Sequence, residues 1–304
     1  MDRVRLPAEF PDAVEAVARV TIARSYTDDD RRHFLRYTRT RSWPMLQRFP
    51  IDDDLHAELL AQMLATTAET VRSMLRSLRA EARAAAAHLV ADDRYRASVA
   101  ALPFRPDDRI VAVGDSITAD RLGWFELLEA SIDLAGTPKP TLVNLGVSGN
   151  TTADVLERFD LLAAAQPSRV LLMLGTNDAR GHGRTSRHRM ATVKETERNL
   201  RALIDLITHD LNAVTTVVTP PAVDQARIDT FFSDAPVHWQ AAAVAEVAHA
   251  IREAAPGAVD LHEALFPRGA EELLESDGVH PTLAGQRLIL ARIVDHLRAG
   301  ARDQ

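Results

Sequence analysis

Up to about residue 105 the apolar positions of this chain recur every three or four residues, the spacing of helices with one buried face. Residues 11–26 read as a first helix. Thr27, with Asp30 three residues on, makes a capping box and opens a second helix that runs to about Arg41. Trp43-Pro44 then breaks the pattern, because proline does not continue a helix. Asp52, Asp53 and Asp54 put negative charge at the positive end of the next helix. Leu55, Leu59, Met63, Val71, Met74, Leu78 and Leu89 fall at helical spacing along it. Unbroken over residues 54–90, it is roughly 55 Å long at ~1.5 Å per residue, longer than a small domain is wide. Such a helix must pack against partner helices, kink near its alanine run at 84–87, or join a dimer interface. A short helix over 94–102 follows, and Pro103 and Pro106 mark a linker. Trp43 and Phe49 read as core.

Beyond Pro106 the period changes. Short apolar runs at 110–113, 142–145, 170–174, 214–218 and 258–261 have the length of buried strands. Helical segments over 122–134, 152–165, 194–209 and 239–254 separate them. Thr151 with Asp154, and Thr192 with Glu195, are two more capping boxes. Pro281 fits the first turn of a last helix, with Gly300 after its end. Strands alternating with helices imply a parallel sheet covered on both faces. The expectation is an all-α N-terminal domain over 1–105 and an α/β domain with a five-stranded parallel sheet over 106–304.

Composition narrows the function classes. The 304 residues, 46% hydrophobic and 26% charged, are those of a globular protein with a sizeable core. A net charge of −7 argues against general nucleic-acid binding. Cysteine is absent, which excludes a disulfide framework, a thiol nucleophile and a thiolate metal site. The histidines on helices stand singly, so no metal or organic cofactor is expected. There is no apolar h-region near the N-terminus and no run of about 18 apolar residues. The expected location is cytoplasmic, without a membrane span.

Chemistry concentrates in four strand-to-helix loops, which a parallel sheet brings to one edge. Gly114-Asp115-Ser116 follows the first strand, Gly146 to Asn150 the second, and Gly175-Thr176-Asn177-Asp178 the third. Asp277-Gly278-Val279-His280-Pro281 precedes the last helix. A serine hydroxyl needs a base to remove its proton as it attacks. His280 is the natural base, and Asp277 at the i, i+3 position can bond its other ring nitrogen and fix the tautomer. The backbone N–H groups of Ser116 and Gly149 and the Asn177 side-chain amide are available to bind an oxyanion.

These four blocks, in this order, resemble the SGNH hydrolases of the GDSL esterase/lipase family over about residues 107–299. The resemblance implies a flavodoxin-like three-layer α/β/α sandwich. It implies Ser116 as nucleophile, Asp277 and His280 as the rest of the triad, and Ser116, Gly149 and Asn177 as the oxyanion hole. The Gly-x-Ser-x-Gly elbow of α/β-hydrolases is absent. The expected reaction is hydrolysis of a small-molecule, acylated-sugar or lipid ester through an acyl-enzyme. Two alternatives stay open: an acyltransferase using the same acyl-enzyme, and a non-catalytic binding or assembly protein built on the helical domain.

Residues 180–189 hold four arginines and two histidines directly after Asn177. Arg180, Arg184 and Arg187 are candidate contacts for an anionic substrate, against the plainer reading of a solvated loop. The helical region lies outside the resemblance; it either braces the sandwich and walls the pocket, or forms a homodimer interface.

Overall fold

The computed structural model describes residues 26–137, 139–263 and 272–300, so the helix expected over 11–26 lies outside the described residues except at its last position. Thr27 caps α1 (Asp28–Tyr37) with both bonds of the expected capping box. The helix stops at Tyr37, short of Arg41, and a 3-10 turn (Thr40–Ser42) follows. Pro44 does not simply break the chain. It opens a short helix, α2 (Pro44–Gln47), from the first position, where its missing N–H has no partner to lose.

The long helix forms in two pieces, α3 (Asp53–Met63) and α4 (Ala68–Val90). Between them Ala65 is left-handed, with φ 46°. Thr66 N donates to Ala61 O and Ala65 N to Gln62 O, the bond pair of a Schellman cap. Thr67 then caps α4 by accepting from Thr70 N. The break is not at the alanine run, which lies inside α4 with Ala85 and Ala86 buried. It also shifts the buried stripe. α3 buries His56, Ala57, Leu60 and Ala61, while Leu55 is 55% exposed. Phe49, expected in the core, is exposed as well. α5 (Asp93–Ala100) closes the helical region.

The chain continues through β1 (Arg109–Gly114), the single turn α6 (Ser116–Ala119), α7 (Trp124–Ala135), β2 (Thr141–Asn144), α8 (Thr152–Glu157) and α9 (Phe159–Ala164). Then come β3 (Arg169–Met173), β4 (Gly181–His182), β5 (Thr185–Arg189), α10 (Val193–His209), β6 (Val214–Val218), α11 (Gln225–Phe231), β7 (Val237–His238), α12 (Ala241–Ala254) and α13 (Leu283–Gly300). A parallel sheet forms in the order β2-β1-β3-β6. Among the described residues it has four strands, not five. The segment at 258–261 makes only one parallel bridge, Val259 to Val218. Thr219 Oγ1 takes Leu261 N, and Asp260 Oδ1 takes His262 N and Glu263 N. Side chains thus capture the backbone groups that a longer ladder would use.

Three further features depart from the sequence pattern. The basic segment after Asn177 folds as β4 and β5, which join β7 in a small antiparallel sheet. The helix expected over 152–165 is interrupted at Arg158, whose Nε donates to Asn150 Oδ1 at 2.7 Å and Nη2 to Leu145 O at 2.9 Å. Pro281 lies just ahead of α13, and Thr282 Oγ1 accepts from Gly285 N in its place at the helix start.

Alternation along β1 divides the core. Ile110 and Ala112 face one cluster, with Leu171 and Met173 of β3; Val111 and Val113 face the other, with Val170 and Leu172. Helices cover both faces, giving three layers. The first cluster also contains Leu60, Val71, Leu78 and Ala86 of α3 and α4, together with Trp124 and Leu128 of α7 and Ile293 of α13. The N-terminal helices therefore share a core with the sheet. No helix among the described residues is long and apolar enough to cross a membrane.

Leu78, fully buried in α4, tests how far this sharing goes. Leu78→Ala should cost about 2–5 kcal/mol. Far-UV circular dichroism and tryptophan fluorescence should report one common, lowered unfolding transition. A fluorescence transition that stays at the parent temperature while part of the helical signal is lost would show the two regions melting separately.

Candidate active site

The site sits beyond the carboxyl ends of β1 and β3. Asp115 caps α6, its carboxylate accepting from Ile117 N at 2.9 Å, and the short turn presents Ser116 at the first helical position. Gly114 is needed where the chain leaves the strand: a Cβ there would lie 2.3 Å from Thr118 Oγ1 and 2.6 Å from Met173 O. Ser116 Oγ is 2.8 Å from His280 Nε2. His280 Nδ1 is 2.5 Å from Asp277 Oδ2. The other Asp277 oxygen accepts from Val279 N at 2.8 Å and His280 N at 2.9 Å, so the loop orders its own carboxylate. A proton on Nδ1 bonded to that carboxylate leaves Nε2 as the acceptor facing the serine.

The electrostatics match this geometry. Burial pushes Asp277 up, but the His280 hydrogen bond and charge outweigh it and hold the carboxyl below its ordinary value. Burial pushes His280 down; the Asp277 hydrogen bond and charge, with the charges of Asp115 and Asp120 behind them, hold it above the ordinary histidine value. Burial raises Asp115 to about 6.

The two remaining loops converge on the same place. Gly149 has φ 87°, a left-handed conformation suited to glycine, and a Cβ there would meet only Arg180 Nη1, at 4.0 Å. Asn177 is buried and donates one amide hydrogen to Asn150 O at 3.2 Å. Its amide has a second N–H. Asp178 binds the Thr152 N–H and hydroxyl, fastening this loop to the start of α8.

The basic segment divides. Arg180 lies beside Gly149, and its Nε is buried with no partner among the described residues. Arg184 is exposed at the hairpin turn, its backbone N–H on His182 Nδ1. The Arg187 side chain lies outside what the structure describes.

Sequence reasoning missed three residues that hold this site. Arg36 of α1 donates to both Asp120 oxygens at 2.8 Å, to Glu275 Oε1 at 2.6 Å and to Pro281 O at 3.3 Å. Burial opposes that charge, but the Asp120 hydrogen bond outweighs it and holds the guanidinium above its ordinary value. Tyr37 packs its ring 4.7 Å from the His280 ring at 48°, and burial raises its hydroxyl. Asp120, fully buried just after α6, also takes Leu122 N and Gln286 Nε2. Hydrophobic period does not single out an arginine beside a buried face, and the partners lie far away in the chain.

A model of the GDSL-like lipase/acylhydrolase family matches residues 112–288, more than half of the chain. The protein belongs to this family. GDSL-like lipase/acylhydrolases are ester hydrolases, and the protein is one. A lipase/acylhydrolase from Enterococcus faecalis is 26% identical, with a TM-score of 0.53 over 63% of this chain and 96% of that one. An alpha/beta hydrolase from the metagenome of Lake Arreo, Spain, is 24% identical, with a TM-score of 0.51 over 64% and 96%. An acetyl xylan esterase is 22% identical, with a TM-score of 0.51 over 62% and 98%. The last two share the fold. Comparison with curated proteins finds no match. The family match begins at residue 112, so α1 to α5 precede it, Arg36 and Tyr37 among them.

The direction of the His280 shift is measurable. Its imidazole NMR resonance should titrate above the ordinary value of about 6.5, and Asp277→Asn should bring the midpoint down. Because the folded-state value is raised, the stability this pair contributes is present below about pH 6.5 and is lost as pH rises through the folded midpoint. A midpoint at or below that of a free histidine would contradict the arrangement.

Proposed function

We propose that this ester hydrolase works through an acyl-enzyme formed on Ser116, with His280 as general base and Asp277 orienting it. The observation that carries the reading is the 2.8 Å approach of Ser116 Oγ to His280 Nε2, with the Nδ1 side bonded to a buried carboxylate. His280 takes the hydroxyl proton as Oγ bonds to the ester carbonyl carbon. The oxyanion accepts from the N–H groups of Ser116 and Gly149 and the Asn177 amide. One such donor contributes about 3–4 kcal/mol to the transition state. Collapse breaks the bond to the leaving alcohol, whose oxygen takes the proton from Nε2. Water then loses a proton to His280 and attacks the acyl carbon. The second collapse returns that proton to Oγ and releases the acid.

The substrate in this reading is a small-molecule ester carrying an anionic group near the scissile carbonyl. Arg180 supports it: a guanidinium beside Gly149 with a buried nitrogen unpartnered among the described residues. A carboxylate or phosphate on the substrate would give that charge a partner. Arg184, exposed at the turn, is a weaker contact.

Two measurements test this. With a short-chain p-nitrophenyl ester, Ser116→Ala should lower kcat by on the order of 10⁴- to 10⁶-fold; equal turnover by parent and variant would remove Ser116 as nucleophile. Arg180→Gln should raise KM for a dicarboxylic half-ester by roughly tenfold, the loss of one charge-assisted contact, with little change for its neutral methyl-capped analogue. An equal effect on both esters would remove the anionic-substrate reading and leave the triad standing.

A further inference from the structure

A second cavity, of about 560 Å³, lies between the helical region and the edge strand β2. That is within the usual size range of small-molecule sites. Ser116, Asp277 and His280 do not line it. Its inner wall includes Leu60, Leu75, Phe125 and Leu142, and arginines line it from α4, the turn before α7 and the segment after α1.

Most of those arginines are already paired. Arg39 bonds Glu126 at 2.7 Å, Arg72 bonds Asp54 at 2.9 Å, Arg76 bonds Glu69 at 2.8 Å, and Arg41 pairs with Asp53. Arg79 and Arg121 have no carboxylate partner among the described residues. Arg121 is partly buried, with Nε on Leu35 O at 2.9 Å and Nη2 on Thr38 O at 3.2 Å. Backbone carbonyls orient that guanidinium without neutralising it. Glu126 favours its charge, but Arg39 holds an oxygen of that carboxylate. Burial first, and then the Arg39 charge, push Arg121 down to about 9. It stays charged at neutral pH, and the one carboxylate that acts on it, Glu126, is shared with Arg39.

We propose that this cavity is a second ligand site, for a small amphiphilic anion: a carboxylate or phosphate head set between Arg121 and Arg79, with a short alkyl body against Leu60, Leu75 and Phe125. The charge requirement comes from the two unmatched arginines and the apolar requirement from the wall. The site is independent of the reading of Ser116.

Calorimetric titration of the full chain carrying Ser116→Ala tests this with octyl phosphate, octanoate, inorganic phosphate and octanol. Octyl phosphate or octanoate should bind, and inorganic phosphate and octanol should each bind at least roughly tenfold more weakly, since each lacks one half of the ligand. Which of the two octyl anions binds tighter identifies the head group. Arg121→Gln or Arg79→Glu, added to that background, should weaken binding by roughly tenfold or more, and Arg180→Gln should leave it unchanged. Arg79 is exposed on α4, so Arg79→Glu keeps the test usable if Arg121→Gln fails to fold. No binding of either octyl anion overturns the proposal. So does binding that Arg180→Gln abolishes and Arg79→Glu does not, which would put the ligand beside Ser116.

Discussion

Arg36 carries one positive charge, and four acceptors from three parts of the chain converge on it: both oxygens of Asp120, the Glu275 carboxylate and the Pro281 carbonyl. Asp120 ends the turn that begins with Ser116. Glu275 and Pro281 flank the loop that carries Asp277 and His280. The serine and the histidine are 164 residues apart in sequence, so neither neighbouring backbone nor a shared helix sets their separation. A planar guanidinium with donors in a fixed fork does set such distances. Removing one partner of a buried pair of this kind costs about 3–5 kcal/mol, because the remaining charge is stranded. The fully buried Asp120 would be that stranded charge. Its other bonds, to Leu122 N and Gln286 Nε2, tie the same point to α7 and α13.

Around this clamp the charge is arranged to suit a histidine that gains a proton during the reaction proposed for it. Asp277 bonds it directly, and Asp115 and Asp120 favour its protonated form from further off. Asp115 is also the cap of α6, so one side chain shapes the serine turn and contributes to the field at the base. Burial raises its carboxyl to about 6, which leaves it mostly charged at neutral pH. The Tyr37 ring closes one side of the imidazole with an aromatic face and adds no charge there.

The parts of the fold that local chemistry dictates were legible in the sequence. β1, β3 and β6 are apolar runs close to where their strands lie, and the Thr27, Thr151 and Thr192 capping boxes all form. The meeting of Ser116, Asp277 and His280 was legible for a similar reason: both short motifs immediately precede or open a helix, and the parallel sheet brings the serine turn to the edge where the last helix begins. What failed depends on long-range competition. The Asp54–Val90 pattern hides a break, because Ala65 takes the left-handed cap position that glycine usually marks. The fifth strand stops after one bridge, because Thr219 and Asp260 offer its backbone other partners. The arginine-rich segment reads as a loop, but it pairs as a hairpin, and among its described side chains Arg180 is the one at Gly149. Arg36, Tyr37 and Asp120 carry no motif; their roles exist only once α1 has docked.

That docking ties the helical region to the serine turn at more than one point. Arg39 Nε donates to Ala119 O at 2.7 Å while its Nη2 holds Glu126 at the edge of the second cavity. Arg121 follows Asp120 directly, and its own backbone N–H bonds Arg36 O at 2.9 Å. The unmatched charge in the cavity is therefore on a residue next to the one that the clamp depends on. A packed element with discrete hydrogen-bond partners passes on a displacement better than a flexible loop does. An anion drawing Arg121 outward would pull against its bonds to Leu35 O and Thr38 O, at the end of α1 that presents Tyr37 to His280. The same short stretch at the end of α1, Leu35 to Arg39, thus supports the imidazole on one side and borders the basic cavity on the other.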